Sequence, residues 1–507
     1  MIIIFNFYES SVILDNIIKQ GADKQLTDKQ FIIKEINHFK MSPKRKEMII
    51  GCKYYKGEQD ILKNNRTMIG KDGKPEEVTN LPNEHIVDNQ YRKMVKQKTN
   101  YLFGKPFSLH SDNAQYVKLL QNNYFKKSFN QLLLRLATDF LNCGLAWVYV
   151  FYDEQGNLSF KRIKPYEIIP GWKDSDHTEL EYAIHIYSMI EYVGNDEEKV
   201  VDFVEVFDDT GITYFQYTDS GDLTPREPYH SNYFSVQTDN DAVNYNWSKI
   251  PLICFKYNDE EIPLIKSVKS LQDGINIIES NFLNCMEEDV RNTILVIVNY
   301  DGTDLAEFRR NLATYGAVKV RTTDGAGGDV KTLSVEVNAE NYKAILDIFK
   351  KAIIENAMGY DAKDDRLSGN PNEMNIQSMY SDIDLDANGI ETLTQSAFEE
   401  LLWFINSDIY NKGLGDYENE IVDFIFDRDM LINESTVIDN CTKSVGILSD
   451  ETIVANHPWI DNPQLELERI KKQKEDNIEQ YQNAFVQSDN KNDDVNGDNQ
   501  NDTGDDE

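Results

Sequence analysis

The stretch from Ile262 to Tyr410 constrains the fold most. It sets two amphipathic helices around a short β-rich insert, then adds a long helix behind a polar loop. From Ile262 to Val290, the residues Ile265, Val268, Leu271, Ile275, Ile278, Phe282 and Met286 recur at steps of three and four, one apolar stripe on a helix. From Glu340 to Gly359, the residues Tyr342, Ile345, Phe349, Ala352 and Asn356 share one face of a second helix. The insert between them, Thr293 to Val337, is β-rich. Asp361 to Glu373 (DAKDDRLSGNPNE) is too polar to bury, and a third helix runs from about Met374 to Tyr410. No catalytic motif lies in this stretch, which reads as mechanical.

Composition narrows the class. A chain of 507 residues with 40% hydrophobic and 11% aromatic residues has enough apolar surface for several globular cores. Its 52 Lys and Arg against 87 Asp and Glu leave a net charge of −35, so it has no surplus of cations with which to wrap nucleic acid by phosphate neutralisation. It could still surround nucleic acid without gripping it. The five cysteines (Cys52, Cys143, Cys254, Cys285, Cys441) are far apart and include no CxxC pair, which points to neither a zinc site nor a disulfide framework and fits a reducing compartment. The apolar run Ile2 to Phe5 is too short for a signal peptide, and no run of about 18 apolar residues follows, so the chain reads as soluble.

Before Ile262 the pattern is first helical, then β. Thr27-Asp28-Lys29-Gln30 is a capping box. Ser42-Pro43 opens a second helix that can stop at Gly57. Asn64 to Thr79 reads as a loop. A helix is predicted after Pro82, with Val87, Tyr91, Met94, Lys98 and Leu102 on one face and a stop at Gly104 and Pro106. Another spans about Ala114 to Leu141. Strands are predicted at 145–152, 158–163, 182–187, 200–207, 212–217 and 252–257, an antiparallel β unit in a helical frame. Beyond Tyr410, helices are predicted over 431–448, 450–456 and about 463–487, and the tail Ser488 to Glu507 is too polar to pack.

Sites of chemistry are not apparent. There is no P-loop, HExxH or GxSxG. Gly325-Ala326-Gly327-Gly328 sits between strands and opens no helix, so it reads as a hairpin tip. His185 reads as a partly buried strand histidine. Asp384-Leu385-Asp386-Ala387-Asn388-Gly389 matches half of a calcium loop, but Gln395 stands where a bidentate Glu is needed, and Ile383, Ala387, Ile390 and Leu393 continue a helical stripe; a solvated helix face with a glycine kink is the expectation. The acidic runs Glu287 to Asp289 and Asp361 to Asp365 show no convergence of the kind a two-metal nuclease needs. No catalytic residue, metal ligand or cofactor is expected. On the residues alone two alternatives stand: a nucleic-acid enzyme such as a nuclease or ATPase, which the missing P-loop and the lack of converging carboxylates speak against, and a non-catalytic scaffold or adaptor, which composition does not exclude.

Asn89, Tyr91, Val95, Lys98, Tyr101, Leu102, Gly104, Lys105 and Pro106 lie in the segment LPNEHIVDNQYRKMVKQKTNYLFGKPFSL. This pattern resembles the N-terminal signature of the portal proteins of tailed bacteriophages, the head–tail connector subunits of the Bacillus siphophage type. Further matches follow in the family's order: Ile250 to Phe255 before a long helix, Ser368-Gly369-Asn370 before the helix ending Phe398 to Ile405, and Leu448 to Thr452 with Asn456-His457-Pro458 and Asp461-Asn462-Pro463. One departure is at Asn372 to Ile376, where the family usually carries a run of small residues.

The resemblance implies an α+β, mainly helical portal fold with long stem helices, a helical and antiparallel-β wing, a small α/β clip and a helical crown. It implies a homo-oligomeric ring, usually of twelve subunits, at one capsid vertex. It assigns 1–261 to the wing, 262–290 and 339–360 to stem helices, 291–338 to the clip, 361–373 to the tunnel loop, 374–430 to a long helix and wing return, 431–487 to the crown and 488–507 to a disordered tail. Asp361, Lys363, Asp364, Asp365, Arg366, Ser368, Gly369 and Asn370 would then face DNA. Arg309, Arg310, Lys319, Arg321 and Lys331 form a cation cluster in an acidic chain, read either as salt bridges to neighbouring carboxylates in the ring or as the clip surface that docks an acidic partner. The implied partners are the large terminase subunit, the head–tail adaptor, capsid and scaffolding proteins, and double-stranded DNA passing without sequence specificity, with no membrane. The implied location is the virion, after assembly in the host cytoplasm.

Overall fold

The computed structural model describes residues 28–69, 73–78, 81–193, 197–218, 220–237, 242–289, 294–298, 329–333, 339–363, 373–428, 434–460 and 463–475. Backbone contacts divide the chain into two compact units. One comprises Met1–Asp361 with Tyr380–Asp429, the other Ala362–Met379 with Met430–Glu507.

The first unit opens with α1 (Asp28–Met41) and α2 (Pro43–Lys56). Ser42 Oγ accepts from the Arg45 N–H at 3.2 Å, Pro43 occupies the first helical position, and Gly57 closes α2 at φ 92°. Thr27, the first residue of the predicted capping box, lies outside the described residues. The predicted loop after α2 contains a small hairpin, β1 (Thr67–Ile69) with β2 (Pro75–Glu77). Then come α3 (Gln90–Phe103), β3 (Ser108–His110), α4 (Ala114–Asn123) and α5 (Lys127–Cys143). The single helix predicted over 114–141 is thus two. The Tyr124 and Phe125 N–H groups both bond the Leu120 carbonyl and end α4. Both side chains turn inward, Tyr124 to Asp408 at 2.7 Å and Phe125 onto Phe129 with ring centroids 4.9 Å apart.

The β unit is two antiparallel sheets. One has the order β13-β4-β5, from β4 (Leu145–Tyr152), β5 (Leu158–Ile163) and β13 (Leu252–Lys256). The other has the order β10-β9-β8-β7-β6, from β6 (Ile168–Trp172), β7 (Leu180–Val193), β8 (Glu197–Asp208), β9 (Gly211–Tyr217) and β10 (Leu223–Ser231). Periodicity missed β6 and β10. Both are edge strands and both carry proline, Pro170 in one and Pro225 and Pro228 in the other, where a missing N–H costs no ladder bond. Ile32 and Ile36 of α1 cover this sheet, packing on Ile169, Ile184, Val204, Phe215 and Leu223. A further hairpin, β11 (Phe234–Gln237) with β12 (Ala242–Tyr245), follows.

After β13 come α6 (Ile265–Asp289), β14 (Ile294–Val298) paired with β15 (Asp329–Leu333), α7 (Ala339–Asn356), α8 (Glu373–Asn411) and β16 (Asp423–Ile425), which pairs with β3. α8 begins at Glu373, one residue before the predicted start. A cluster of rings fills the core between α5, α8 and β16. Phe398 stacks on Phe424 with centroids 4.3 Å apart, and Phe107 packs against Phe125, Phe129, Phe398 and Phe426.

The second unit holds α9 (Glu434–Ser444), α10 (Asp450–Ala455) and a helix over 463–475. Ser449 Oγ caps α10 through the Thr452 N–H, and Cys441 Sγ lies against the Ile453 and Asn456 carbonyls. Among the described residues no helix is long and apolar enough to cross a membrane.

Candidate functional site

The helical hairpin of α6 and α7 organises the first unit. α6 has 25 residues, a length of about 37 Å. The two helices meet closely at Gly274, where a Cβ would lie 2.5 Å from the Phe349 ring, and at Phe282 and Tyr342, with centroids 4.9 Å apart. Lys350 on α7 ties the pair to the segment before α3, reaching Glu279 at 3.1 Å and Asp88 at 2.8 Å.

The apolar stripe on α6 was legible, but the helix has a second buried row that is polar. Gln272, Asn276, Ser280 and Asn284 recur at steps of four and all are buried. Residues 84–89, which belong to no helix or strand, and Tyr91 in the first turn of α3 run antiparallel along this row. Glu84 N–H donates to Asn284 Oδ1 at 2.7 Å, Ile86 N–H to Ser280 Oγ at 2.9 Å, Asp88 N–H to Asn276 Oδ1 at 3.1 Å and Tyr91 N–H to Gln272 Oε1 at 2.9 Å. Gln272 Nε2 returns a bond to the Asp88 carbonyl at 2.6 Å, and Asn276 Nδ2 donates to Gln59 Oε1. This corrects the helix predicted from Pro82. The N–H groups of residues 84, 86 and 88 go to α6 side chains, so α3 starts only at Gln90. The signal that was overlooked is the Gln, Asn, Ser, Asn row itself, since four such residues on one line of a helix need polar partners once buried.

Where the chain enters α6, Glu261 is buried at φ 55°. Its carboxylate receives His177 Nδ1 at 2.7 Å, Lys256 Nζ at 3.4 Å and Lys44 Nζ. Burial pushes its pKa up, but His177 and Lys44 outweigh that and hold it well below the usual carboxylate range.

The root of the predicted tunnel loop is clamped by α3. Gln97 Nε2 donates to the Tyr360 carbonyl at 2.8 Å and Gln97 Oε1 accepts from the Tyr360 N–H at 3.1 Å. Lys98 Nζ reaches the Met358 carbonyl at 3.1 Å and Asp386 of α8 at 2.7 Å. Tyr101 hydroxyl donates to Asp384, which Arg428 also pairs at 2.7 Å. Asp384 and Asp386, the first two carboxylates of the calcium-loop look-alike, are therefore ion-paired to protein cations on an unbroken helix. They are only 28% and 12% exposed, so the solvated face predicted for them is instead a partly buried one. Among the described residues no group of His, Cys, Asp and Glu is placed to hold a metal ion.

Of the predicted DNA-facing residues, Asp361 is half-buried and Lys363 exposed. Asp364, Asp365, Arg366, Ser368, Gly369 and Asn370 lie outside the described residues. So do Arg309, Arg310, Lys319 and Arg321, and the Gly325 to Gly328 tip. Lys331 lies in β15, in register with Val296 of β14.

Residues 37–480 match the family described as phage portal protein, SPP1 Gp6-like. The chain belongs to that family. It is similar to the portal protein of Bacillus phage SPP1, 27% identical over 437 residues that cover 86% of this chain and 84% of that protein. It is equally similar to the portal protein of Clostridium phage phiCD119, 27% identical over 429 residues that cover 83% and 90%. A looser likeness, at 13% identity and a TM-score of 0.36, joins 72% of this chain to 88% of a chain in the structure described as the neck of a native GTA particle computed with C12 symmetry.

The portal signature in α3 now has a physical reading. Asn89 caps the helix through the Arg92 N–H at 2.9 Å and donates to the Tyr54 carbonyl at 2.8 Å. Tyr91 hydroxyl donates to Asn142 Oδ1 at 2.7 Å, and Val95 and Leu102 are buried. With Lys98 and Tyr101, these residues join α3 to α2, α5, α6, the end of α7 and α8.

Proposed function

We propose that the chain is the subunit of a dodecameric ring at one vertex of a phage capsid. The ring is the channel for DNA packaging and ejection, and the docking site first for the large terminase subunit and then for the head–tail adaptor. In this reading α6 and α7 are the stem, 291–338 is the clip, 361–373 is the tunnel loop, α8 runs from the loop into the wing, and 431–487 is the crown. The protein acts mechanically and carries out no catalysis. Capsid and scaffolding proteins surround it, and it is assembled in the host cytoplasm and retained in the virion.

The observation that carries this reading is the portal-family match over residues 37–480, in a chain whose helical hairpin leads directly to a clamped loop root. A net charge of −35 supports it, because a channel wall must pass phosphate without holding it. Negative-stain images of the purified full-length protein test the ring. Rings with a central hole are expected, and a population of monomers alone under assembly conditions would overturn the reading.

The channel role has its own test. Replacing Asp364 and Asp365 by lysine adds phosphate attraction at the tunnel loop. It should leave rings intact while lowering packaged DNA per particle, most strongly at low ionic strength. Full packaging by intact variant rings would remove the loop from the DNA path. Charge reversal at Arg309 and Arg310 should weaken terminase binding by otherwise normal rings.

A further inference from the structure

α2 and α5 cross in backbone contact. A Cβ added to Gly51 would lie 2.0 Å from the Asn142 carbonyl oxygen. The next residue on each helix is a cysteine, and the crossing brings Cys52 Sγ to 3.5 Å from Cys143 Sγ. All five cysteines are free thiols, so this pair, 91 residues apart in sequence, is reduced.

The two thiols are not equivalent. Cys143 is fully buried, with its sulfur also near the Met48 carbonyl, while Cys52 is partly exposed. The hydrogen bond from Cys143 holds the Cys52 thiol below its ordinary range, with help from Lys56 and Arg162; burial and Asp139 oppose them. The same bond, together with burial, pushes Cys143 up. Cys52 is therefore both the reachable sulfur and the better thiolate, and Cys143 waits behind it. Helix backbones already in contact leave the sulfurs a closure of only about 1.5 Å to the usual S–S length.

We propose that Cys52 and Cys143 form an oxidisable dithiol that closes to an intramolecular disulfide on reaction with a small-molecule disulfide such as glutathione disulfide. The Cys52 thiolate attacks one sulfur of the oxidant, forming a mixed disulfide and expelling one glutathione thiolate. Cys143 gives up its proton, its thiolate attacks the Cys52 sulfur, and the second glutathione leaves. The protein loses two electrons and two protons, and one glutathione disulfide becomes two thiols. The bond would join α2, whose Tyr54 hydroxyl is bonded to Asp273 of α6, to α5 beneath it. This chemistry does not depend on the proposed channel role.

The test uses full-length protein in its native assembly state, incubated with glutathione disulfide, quenched with an alkylating agent and peptide-mapped without reduction. A Cys52–Cys143 linked peptide is expected, with two alkylatable thiols lost and Cys254, Cys285 and Cys441 retained. Cys143→Ser should trap glutathione on Cys52, and Cys52→Ser should leave Cys143 unmodified. The oxidised protein should melt at a higher temperature than the reduced one. Two results would overturn the proposal: a folded native chain that keeps both thiols alkylatable, or one that accumulates glutathione on Cys52 with Cys143 still present.

Discussion

Lys98 Nζ lies 2.7 Å from Asp386 Oδ2, and the two side chains are 1% and 12% exposed. The pair spans 288 positions of sequence and pins α8 to the helix that clamps the loop root. Lys98→Met would leave Asp386 charged and nearly buried, which should cost about 3–5 kcal/mol. The double change Lys98→Met with Asp386→Leu should recover much of that loss. Urea denaturation of both variants checks this, and a single variant as stable as the parent would refute it.

Asn276→Leu should destabilise by about 1–3 kcal/mol, because it takes the partner from the Asp88 N–H and from the buried Gln59 Oε1. Gln272 Nε2 lies 3.1 Å from Asn276 Oδ1, so changes at the two positions should combine non-additively. A double-mutant cycle reads this coupling, and strict additivity would mean that the row is not one network.

His185 sits on β7 between Glu205 at 3.0 Å and Glu167 at 3.8 Å, stacked on Tyr187. Burial lowers its pKa, but the two carboxylates outweigh burial and the net shift is upward. Burial raises both glutamates, and His185 with Lys164 near Glu167, or with Tyr187 and Lys161 near Glu205, brings them below their ordinary values. The histidine contribution is therefore complete below about pH 6.5 and fades as pH rises through the raised value. The glutamate contribution is present above about pH 4.3 and fades as pH falls. His185→Gln should thus lose most stability relative to the parent between roughly pH 5 and 6.5 and least in mild alkali. A stability gap that is flat from pH 5.5 to pH 8.5 would contradict this.

Gly144 adopts φ 87°, and a Cβ there would fall 2.0 Å from the Glu261 carbonyl. Backbone strain and overlap act together in Gly144→Ala, and the loss should exceed about 3 kcal/mol. Soluble yield and thermal midpoint check it, with Gly156→Ala as the control. Gly156 also has positive φ but has open space around it.

The elements with strong internal periods were legible. The stripe from Ile265 to Phe282, the short apolar run of β4 and the cap at Ser42 each announce themselves within a few residues. Elements defined by a distant partner were not. Val87 falls in step with the face Tyr91, Met94, Lys98 and Leu102 and so extends the helical pattern backwards, yet the backbone around it is bonded by side chains nearly 200 positions away. The proline-bearing edge strands β6 and β10 look like loops until the sheet beside them exists. The loop root shows the same limit. The polarity from Asp361 onward is plain in the sequence, whereas the clamp by Gln97 and Lys98 depends on three helices meeting.

The polar row on α6 behaves like a vernier. Four residues of helix advance about 6.0 Å and two residues of extended chain about 6.6 Å, so from Glu84 to Asp88 each rung would drift by about 0.6 Å against the next, and the last rung takes three residues, Asp88 to Tyr91, as α3 begins. Such a scale stays legible for only a few marks, which suits a segment that engages at Glu84, Ile86, Asp88 and Tyr91 and then coils away. It also quantises motion. A slide of α6 by one residue, about 1.5 Å, would disengage every mark at once, while a slide of four residues would re-seat three of them. Any axial displacement of this helix must carry residues 84–91 along with it or jump a whole tooth.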